Sequence, residues 1–277
     1  MRIHPRIVFL GVVLCFFAIM LLAREHRPSF LRPGLRLNAY VTTGDGGVTV
    51  VDLVKLAAIA HVSVGPGLSG MREHPTRDEI WGASGPGGYV WVLDARTNQI
   101  AARVYVGAQP LAVDFSRDGG RVYTTSSGTD TLVAIDCRTR SVIGRAKTGA
   151  GPVIAHVTPN GAMILVVNQR DGTLGIHDAG TLALRSAVPT VSKPEDVAIV
   201  PDSSLAFVLS RTERRISVVD VRRATLLTNL DLAGEPTQML LKPDGGELYV
   251  LSPEAHGLQV INTWTHEVGD YVMVGSA

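Results

Sequence analysis

The chain has 277 residues, 45% of them hydrophobic and 18% charged, which supplies a packed core and excludes wholesale disorder. Residues 1–36 hold six of the Lys/Arg and one of the Asp/Glu, so the rest carries 20 basic and 24 acidic groups. A slightly acidic domain has no concentrated positive field with which to neutralise phosphates, and nucleic-acid binding is set aside.

In chain order the first element is apolar. Arg2, His4 and Arg6 precede IVFLGVVLCFFAIMLLA, an unbroken run of 17 residues from Ile7 to Ala23. As a helix it would cover about 25 Å, the short end of what spans a hydrocarbon core of roughly 30 Å. A cleaved signal peptide is the competing reading, but Leu21-Leu22-Ala23 offers only one of the two small residues a cleavage site asks for. Leu14 before Cys15 argues against lipoprotein-type processing, and the even apolarity argues against a buried core helix. The segment is therefore read as an uncleaved signal anchor, with 1–36 as anchor plus linker and 37–277 as the folded domain. Arg24, Arg27, Arg32 and Arg36 pull the other way, because positive flanks tend to stay in the cytoplasm.

Beyond the linker the text repeats. VTVVD ends at Asp52, VWVLD at Asp94, LVAID at Asp136, LGIHD at Asp178, ISVVD at Asp220 and LQVIN at Asn262, a constant step of 42. Pro110, Pro152, Pro194 and Pro236 keep the same step and each opens a segment. So do Thr76, Asp118, Asn160, Asp202 and Asp244, most of them in turn text such as SRDGG and KPDGG. Between turns lie segments of five to seven residues rich in Val, Ile, Leu and Tyr, giving four strands per repeat and no room for a helix. The recurrent Asp, followed at the third position by Thr97, Thr139, Thr181 or Thr265, fits a hairpin clamp whose side chain accepts turn N–H groups. A catalytic acid has no reason to recur in every unit.

Four-stranded units at this period predict an all-β fold, a β-propeller with both faces of each blade buried, preceded by an N-terminal hydrophobic helix. The order of Pro, apolar strand, Pro-Asp-Gly, Tyr-Val strand and Val-Ile-Asp strand resembles the YVTN-type propeller repeat. Tyr40-Val41-Thr42-Thr43, Val122-Tyr123-Thr124-Thr125 and Leu248-Tyr249-Val250-Leu251 are its degenerate forms here. The resemblance covers residues 37–277 and implies an extracytoplasmic place, periplasmic or at the cell surface, secreted if the N-terminal segment is cleaved.

Counting units predicts five full blades, 65–106, 107–148, 149–190, 191–233 and 234–274, after a three-stranded one at 37–64. Gly275-Ser276-Ala277 aligns with Gly107-Ala108-Gln109, and RPSFLRPGLRL with its two prolines makes a poor strand, so the inner strand missing from the first unit has no evident source. The expectation is an incomplete propeller with unpaired blade faces that favour oligomers.

For chemistry, the candidate ligand-binding residues are Asp114, His156, Glu195, Asp196, Gln109, Glu235 and Gln238, drawn from the loops that lead into the inner strands and from those strands themselves. Asp114 and His156 stand one repeat apart and could approach each other, with Arg72 as a further channel residue. His61, His74, His177 and His266 occupy unrelated positions, so no metal site is expected. Cys-x-x-Cys-His is absent, which excludes covalent haem attachment, and no cofactor is expected. Cys137 is the only cysteine outside the apolar run, so the domain has no internal disulfide.

These features favour a non-enzymatic binding or scaffolding propeller with a protein or glycan partner, bound to the membrane through 7–23. The alternatives are a lactonase-like or quinoprotein/haem d1-like propeller enzyme, or a fragment of a longer one.

Overall fold

A computed structural model describes residues 37–273. The apolar segment 7–23 and Gly275-Ser276-Ala277 lie outside the described residues. Among those described, no helix is long and apolar enough to cross a membrane.

Six antiparallel sheets follow one another. The first has three strands, β1 (Asn38–Thr42), β2 (Gly47–Asp52) and β3 (Ala57–Ser63). The second is β4 (Leu68–Glu73), β5 (Glu79–Ser84), β6 (Tyr89–Asp94) and β7 (Gln99–Tyr105). The third is β8 (Pro110–Phe115), β9 (Arg121–Ser126), β10 (Thr131–Asp136) and β11 (Ser141–Lys147). The fourth is β12 (Pro152–Val157), β13 (Met163–Asn168), β14 (Thr173–Asp178) and β15 (Leu184–Pro189). The fifth is β16 (Asp196–Ile199), β17 (Leu205–Ser210), β18 (Arg215–Asp220) and β19 (Thr225–Asp231). The sixth is β20 (Gln238–Leu241), β21 (Glu247–Ser252), β22 (Gly257–Asn262) and β23 (Glu267–Met273). One 3-10 turn, Pro253–Ala255, is the sole helical element among the described residues. Among the described residues Leu37–Ala39 and Asp52–Ala57 group as one compact unit, and Tyr40–Val51 with the residues from Ala58 onward as another. Within the first, Leu53 N–H donates to Leu37 O at 2.8 Å.

Hydrogen-bonded loops set the spacing. Asp136 Oδ1 accepts Arg138 N–H, Thr139 N–H and the Thr139 hydroxyl at 2.9, 2.7 and 3.0 Å. Asp52, Asp94, Asp178 and Asn262 each accept two turn N–H groups in the same way, and Asp220 accepts that of Arg223. These bonds hold the Asp136 carboxyl below the usual carboxylate range, the Thr139 N–H contributing most. At the opposite turns Gly119, Gly161 and Gly245 supply φ values of 68°, 75° and 79°, where a side chain would be strained. Ser203 takes that position in the fifth sheet at φ 62° and receives Asn160 N–H on its hydroxyl.

Prolines 194 and 236 depart from the expected pattern. Pro110 and Pro152 are strand residues, but β16 and β20 begin two residues after their prolines. Proline has no N–H to give, and the first cross-strand bonds there are Glu195 N–H to Leu209 O and Thr237 N–H to Leu251 O, both 2.8 Å.

Alternate residues of each central strand feed two different cores. Val48 and Val64 pack with Ile80, Trp91 and Leu93 between sheets one and two. Trp81, Ala83, Val90 and Val92 meet Val122, Val133 and Ile135 between two and three. Tyr123, Leu132 and Ala134 meet Ile164 and Val166 between three and four. Leu165, Val167, Leu174 and Ile176 meet Ala206, Val208 and Val219 between four and five. Phe207, Leu209, Ile216 and Val218 meet Leu248, Val250 and Ile261 between five and six. Each such buried side chain contributes about 1.5–3 kcal/mol relative to exposure. This is the blade stacking of a propeller, with β4, β8, β12, β16 and β20 as the neighbouring inner strands.

Buried polar groups tie the sheets together. Tyr123 Oη donates to Ala179 O at 2.8 Å, one sheet on. Cys137 is buried and its thiol is pushed up to about 12 by desolvation, which makes it a poor nucleophile. His177 is fully buried, with Nδ1 3.0 Å from Leu182 O and Nε2 unpartnered, and burial lowers its pKa below 6.5. A lowered folded value means that the unfolded chain binds the proton first, so this stability is present above pH 6.5 and is lost as pH falls below it. The urea midpoint should therefore drop between pH 7 and pH 5, and His177→Asn, whose amide can still serve Leu182 O, should flatten that drop. An unchanged slope in the variant would remove His177 as its cause.

Candidate functional site

Two places gather side chains that the repeat does not explain. The first lies on the inner strands. Arg72, Asp114 and His156 occupy the same position in β4, β8 and β12, one repeat apart, so the stacking that aligns the sheets also aligns these three side chains. Arg72 Nε is 3.3 Å from Asp114 Oδ1, and His156 Nδ1 is 3.1 Å from Asp114 Oδ2. The second carboxylate oxygen also accepts Val157 N–H at 2.9 Å, and Phe115 N–H reaches the first at 3.0 Å.

Burial alone would raise the Asp114 pKa. The His156 hydrogen bond, the charges of His156 and Arg72 and the Val157 N–H outweigh it, and the carboxyl sits below 3.8. Arg72 NH2 also stands 3.2 Å from His156 Nδ1. A carboxylate at that nitrogen requires it to carry the proton, so the ring donates to Asp114 and the guanidinium serves the carboxylate. The arrangement can orient an imidazole whose Nε2 has no partner among the described residues, which suits accepting a hydrogen bond from a ligand.

The other candidates do not join this group. Asp114 and His156 lie near the far ends of their strands, next to the turns at Ser116 and Thr158, whereas Gln109, Glu195, Asp196, Glu235 and Gln238 lie at or before the strand starts. Gln109 and Glu235 stand five residues before the level of Asp114 and His156, about 16 Å of strand, Glu195 three, and Asp196 and Gln238 two, about 7 Å, so Gln109 and Glu235 lie at the other end of the sheets while Asp196 and Gln238 lie partway along. Glu195 pairs with Arg211 at 3.1 Å, Asp196 caps Val197 N–H at 2.8 Å, and Glu235 N–H donates to Glu254 at 3.1 Å. Gln109 and Gln238 are exposed.

The second place is a cleft of about 650 Å³ on the side of the lead-in loops. The β13–β14 loop, Gln169 to Gly172, forms one wall, and Thr190, Val191, Ser192 and Lys193 form another, with Glu213 and Asn229 opposite. Several loop side chains on this side, Arg170 and Asp171 of the cleft wall among them, are spent on their neighbours. Asp130 Oδ1 takes Gly151 N–H and Arg170 at 2.8 and 2.7 Å, Asp171 takes Ala150 N–H at 2.5 Å, and Arg214 meets Glu254 at 3.1 Å. Among the described residues, Lys193 Nζ, the Glu213 carboxylate and the Gln169 amide have no such partner. Lys193 also holds φ 48° at a position where Gly67 and Gly151 have 60° and 63° and Gln109 has 59°.

Three residues take parts that the sequence did not assign them. His74 is buried, and its Nδ1 accepts Thr76 and Arg77 N–H, both at 3.1 Å, doing for the second sheet what Asp118 does for the third. Its Nε2 reaches Gly119 O at 2.9 Å. Its place two residues before Thr76 in the turn series was the available signal. Lys193 was legible only as a lead-in loop residue. Trp264, 80% exposed beside a smaller cleft of about 280 Å³, had no signal beyond following the Asn262 clamp. No group of three or more His, Cys, Asp or Glu among the described residues could hold a metal ion.

With this geometry in place, comparison adds the relatives. The model of the YNCE-like beta-propeller family matches residues 88–277. No curated protein sequence matches the chain. Among solved structures, hydrazine synthase of Kuenenia stuttgartiensis is similar with a TM-score of 0.72 at 16% identity, over 86% of this chain and 84% of that one. The dihydro-heme d1 dehydrogenase NirN, in complex with DHE, is similar with a TM-score of 0.73 at 19% identity, over 90% of this chain. This chain spans 56% of NirN. At such identities the likeness shows the fold alone.

The Asp114 group yields a stability test. Asp114→Asn should cost roughly 1–3 kcal/mol at pH 7, toward the low end because Arg72 is half exposed. The depressed carboxyl contributes above its unfolded pKa, so the difference should close as pH falls below 3.8. Paired urea titrations at pH 7 and pH 3 check both, and a penalty as large at pH 3 as at pH 7 would rule out the charge as its origin.

Proposed function

The chain belongs to the YNCE-like beta-propeller family, and from that premise we propose that it is a non-enzymatic binding or scaffolding module. Its ligand, a glycan or a protein segment, seats in the cleft between the fourth and fifth sheets. One observation carries this reading: Lys193 Nζ, the Glu213 carboxylate and the Gln169 amide, without a hydrogen-bond partner among the described residues, line about 650 Å³ of space, and Asn229 lines it too with its Oδ1 taken by the Ser217 hydroxyl at 2.6 Å. A concave site with a few convergent polar groups is the usual form of a ligand pocket. The repeated carboxylates, by contrast, are consumed by their own turns.

The module works outside the cytoplasm, held to the membrane by residues 7–23. The apolar run and the YVTN-type resemblance support that placement.

A second reading is favoured by the Asp114–His156 pair, an oriented imidazole of the kind that hydrolases and oxidoreductases use. The named structural neighbours are enzymes, which keeps that class open. The trio leaves only His156 Nε2 open and has no nucleophile bonded to it among the described residues, so the binding reading ranks above it.

Oligosaccharide and short-peptide arrays probed with the full chain test the proposal. Lys193→Ala and Glu213→Ala should each weaken capture about tenfold while leaving the melting temperature unchanged, the loss expected for one hydrogen bond to a charged group. His156→Ala should leave capture intact. Binding that ignores the cleft variants and follows His156 would transfer the site to the inner strands.

A further inference from the structure

We propose that the uncovered face of the sixth sheet packs on the uncovered face of the first sheet of a second copy of this chain, repeating between molecules the junction that joins neighbouring sheets within one. At every internal junction the leading face of one sheet, the side toward higher residue numbers, covers the trailing face of the next. Phe207, Leu209, Ile216 and Val218, on the leading face of the fifth sheet, are at most 2% exposed. One repeat later the same positions are Tyr249, Leu251, Leu258 and Val260, as apolar as their counterparts, and all four are only half-buried. Burial along β21 alternates, with Leu248, Val250 and Ser252 buried and the residues between them not, whereas β17 is buried without a break from Ala206 to Ser210. Val272 on the outer strand is 48% exposed on this same face, opposite Leu258.

The matching surface is on the chain itself. Val48, Val62 and Val64 of the first sheet pack toward the second, so alternation puts Val41, Thr49, Val51, Ile59 and His61 on its trailing face. Val41 and Ile59 are 48% and 46% exposed. His61 bridges Thr49 Oγ1 at 3.0 Å and Asp45 Oδ2 at 3.2 Å, which leaves Val41, Val51 and Ile59 as the apolar part. Five apolar clusters account for five junctions, and among the described residues none joins the sixth sheet to the first.

Among the described residues a leading face therefore stands open at the sixth sheet and a trailing face at the first, and a single kind of contact between copies covers both. Pairing two sixth sheets would leave Val41 and Ile59 in water. A contact three to four strands wide and six residues long measures roughly 300–400 Å² on each partner. That is below a standard interface, so the association is weak and depends on concentration. Such a head-to-tail contact is heterologous and can continue past two copies.

Sedimentation velocity on the full chain in one mild detergent, from about 10 to about 500 µM, tests this, because any association through residues 7–23 is common to all variants. The wild type should show a concentration-dependent species that Val260→Lys and Val51→Lys each abolish, with circular dichroism and melting unchanged. Val272→Lys, at a more exposed position, repeats the first test with less risk to folding. Mixed in equal amounts, the sixth-sheet and first-sheet variants should recover a dimer and nothing larger, since each retains one intact face. Three results would overturn the proposal: a wild type no larger than its variants at any concentration, association that survives Val51→Lys but not the sixth-sheet changes, or a mixture that stays monomeric.

Discussion

A β-sheet that is apolar on both faces is stable only when both are covered, and this requirement organises the molecule. Trp81 and Trp91, in adjacent strands of the second sheet, belong to two different cores, one toward the third sheet and one toward the first. Because the stacking consumes the middle of every strand, polar side chains are left to the strand ends and loops. The Asp and Asn clamps at one set of turns and the Asp130 and Asp171 bridges at the other are what that remainder does when it serves the fold.

What it does beyond the fold falls at two places with different character. The Arg72, Asp114 and His156 trio exists because the repeat brings equivalent positions of neighbouring inner strands side by side. The same positions in the next two sheets are Ala198 and Leu240, so the polar group is confined to one part of the series. The cleft by Lys193 arises differently, where one lead-in loop and two hairpin loops stop short of each other. The trio spends all but His156 Nε2 on its own members, and the cleft offers several unspent donors and acceptors; that contrast underlies the functional assignment.

Much of the architecture was legible because the step of 42 has no interruption from Asp52 to Asn262, and an arithmetic repeat of short apolar segments admits few folds. A first sheet of three strands and five of four also follows from counting. Less visible was anything set by a partner rather than by the residue itself. The text of β21 is as apolar as that of β17, and only the presence or absence of a covering sheet separates them. Grouping Asp114 with Gln109 and Glu235 overlooked the five residues of strand between their levels, about 16 Å, which places them at different ends of the sheets. His74 was hidden because an imidazole stands in for a carboxylate, a swap that turn preferences do not anticipate.

The pairwise cores described above also set how the molecule opens. Each sheet draws its cohesion from at most two neighbours, so its resistance to opening is close to a sum of nearest-neighbour terms, as in a linear array. Interior units, flanked on both sides, hold their amide hydrogens longest, and the first and last fray ahead of global unfolding. Exchange protection therefore rises toward the third and fourth sheets, placing His156 and the walls of the Lys193 cleft in or beside the slowest-opening part of the chain.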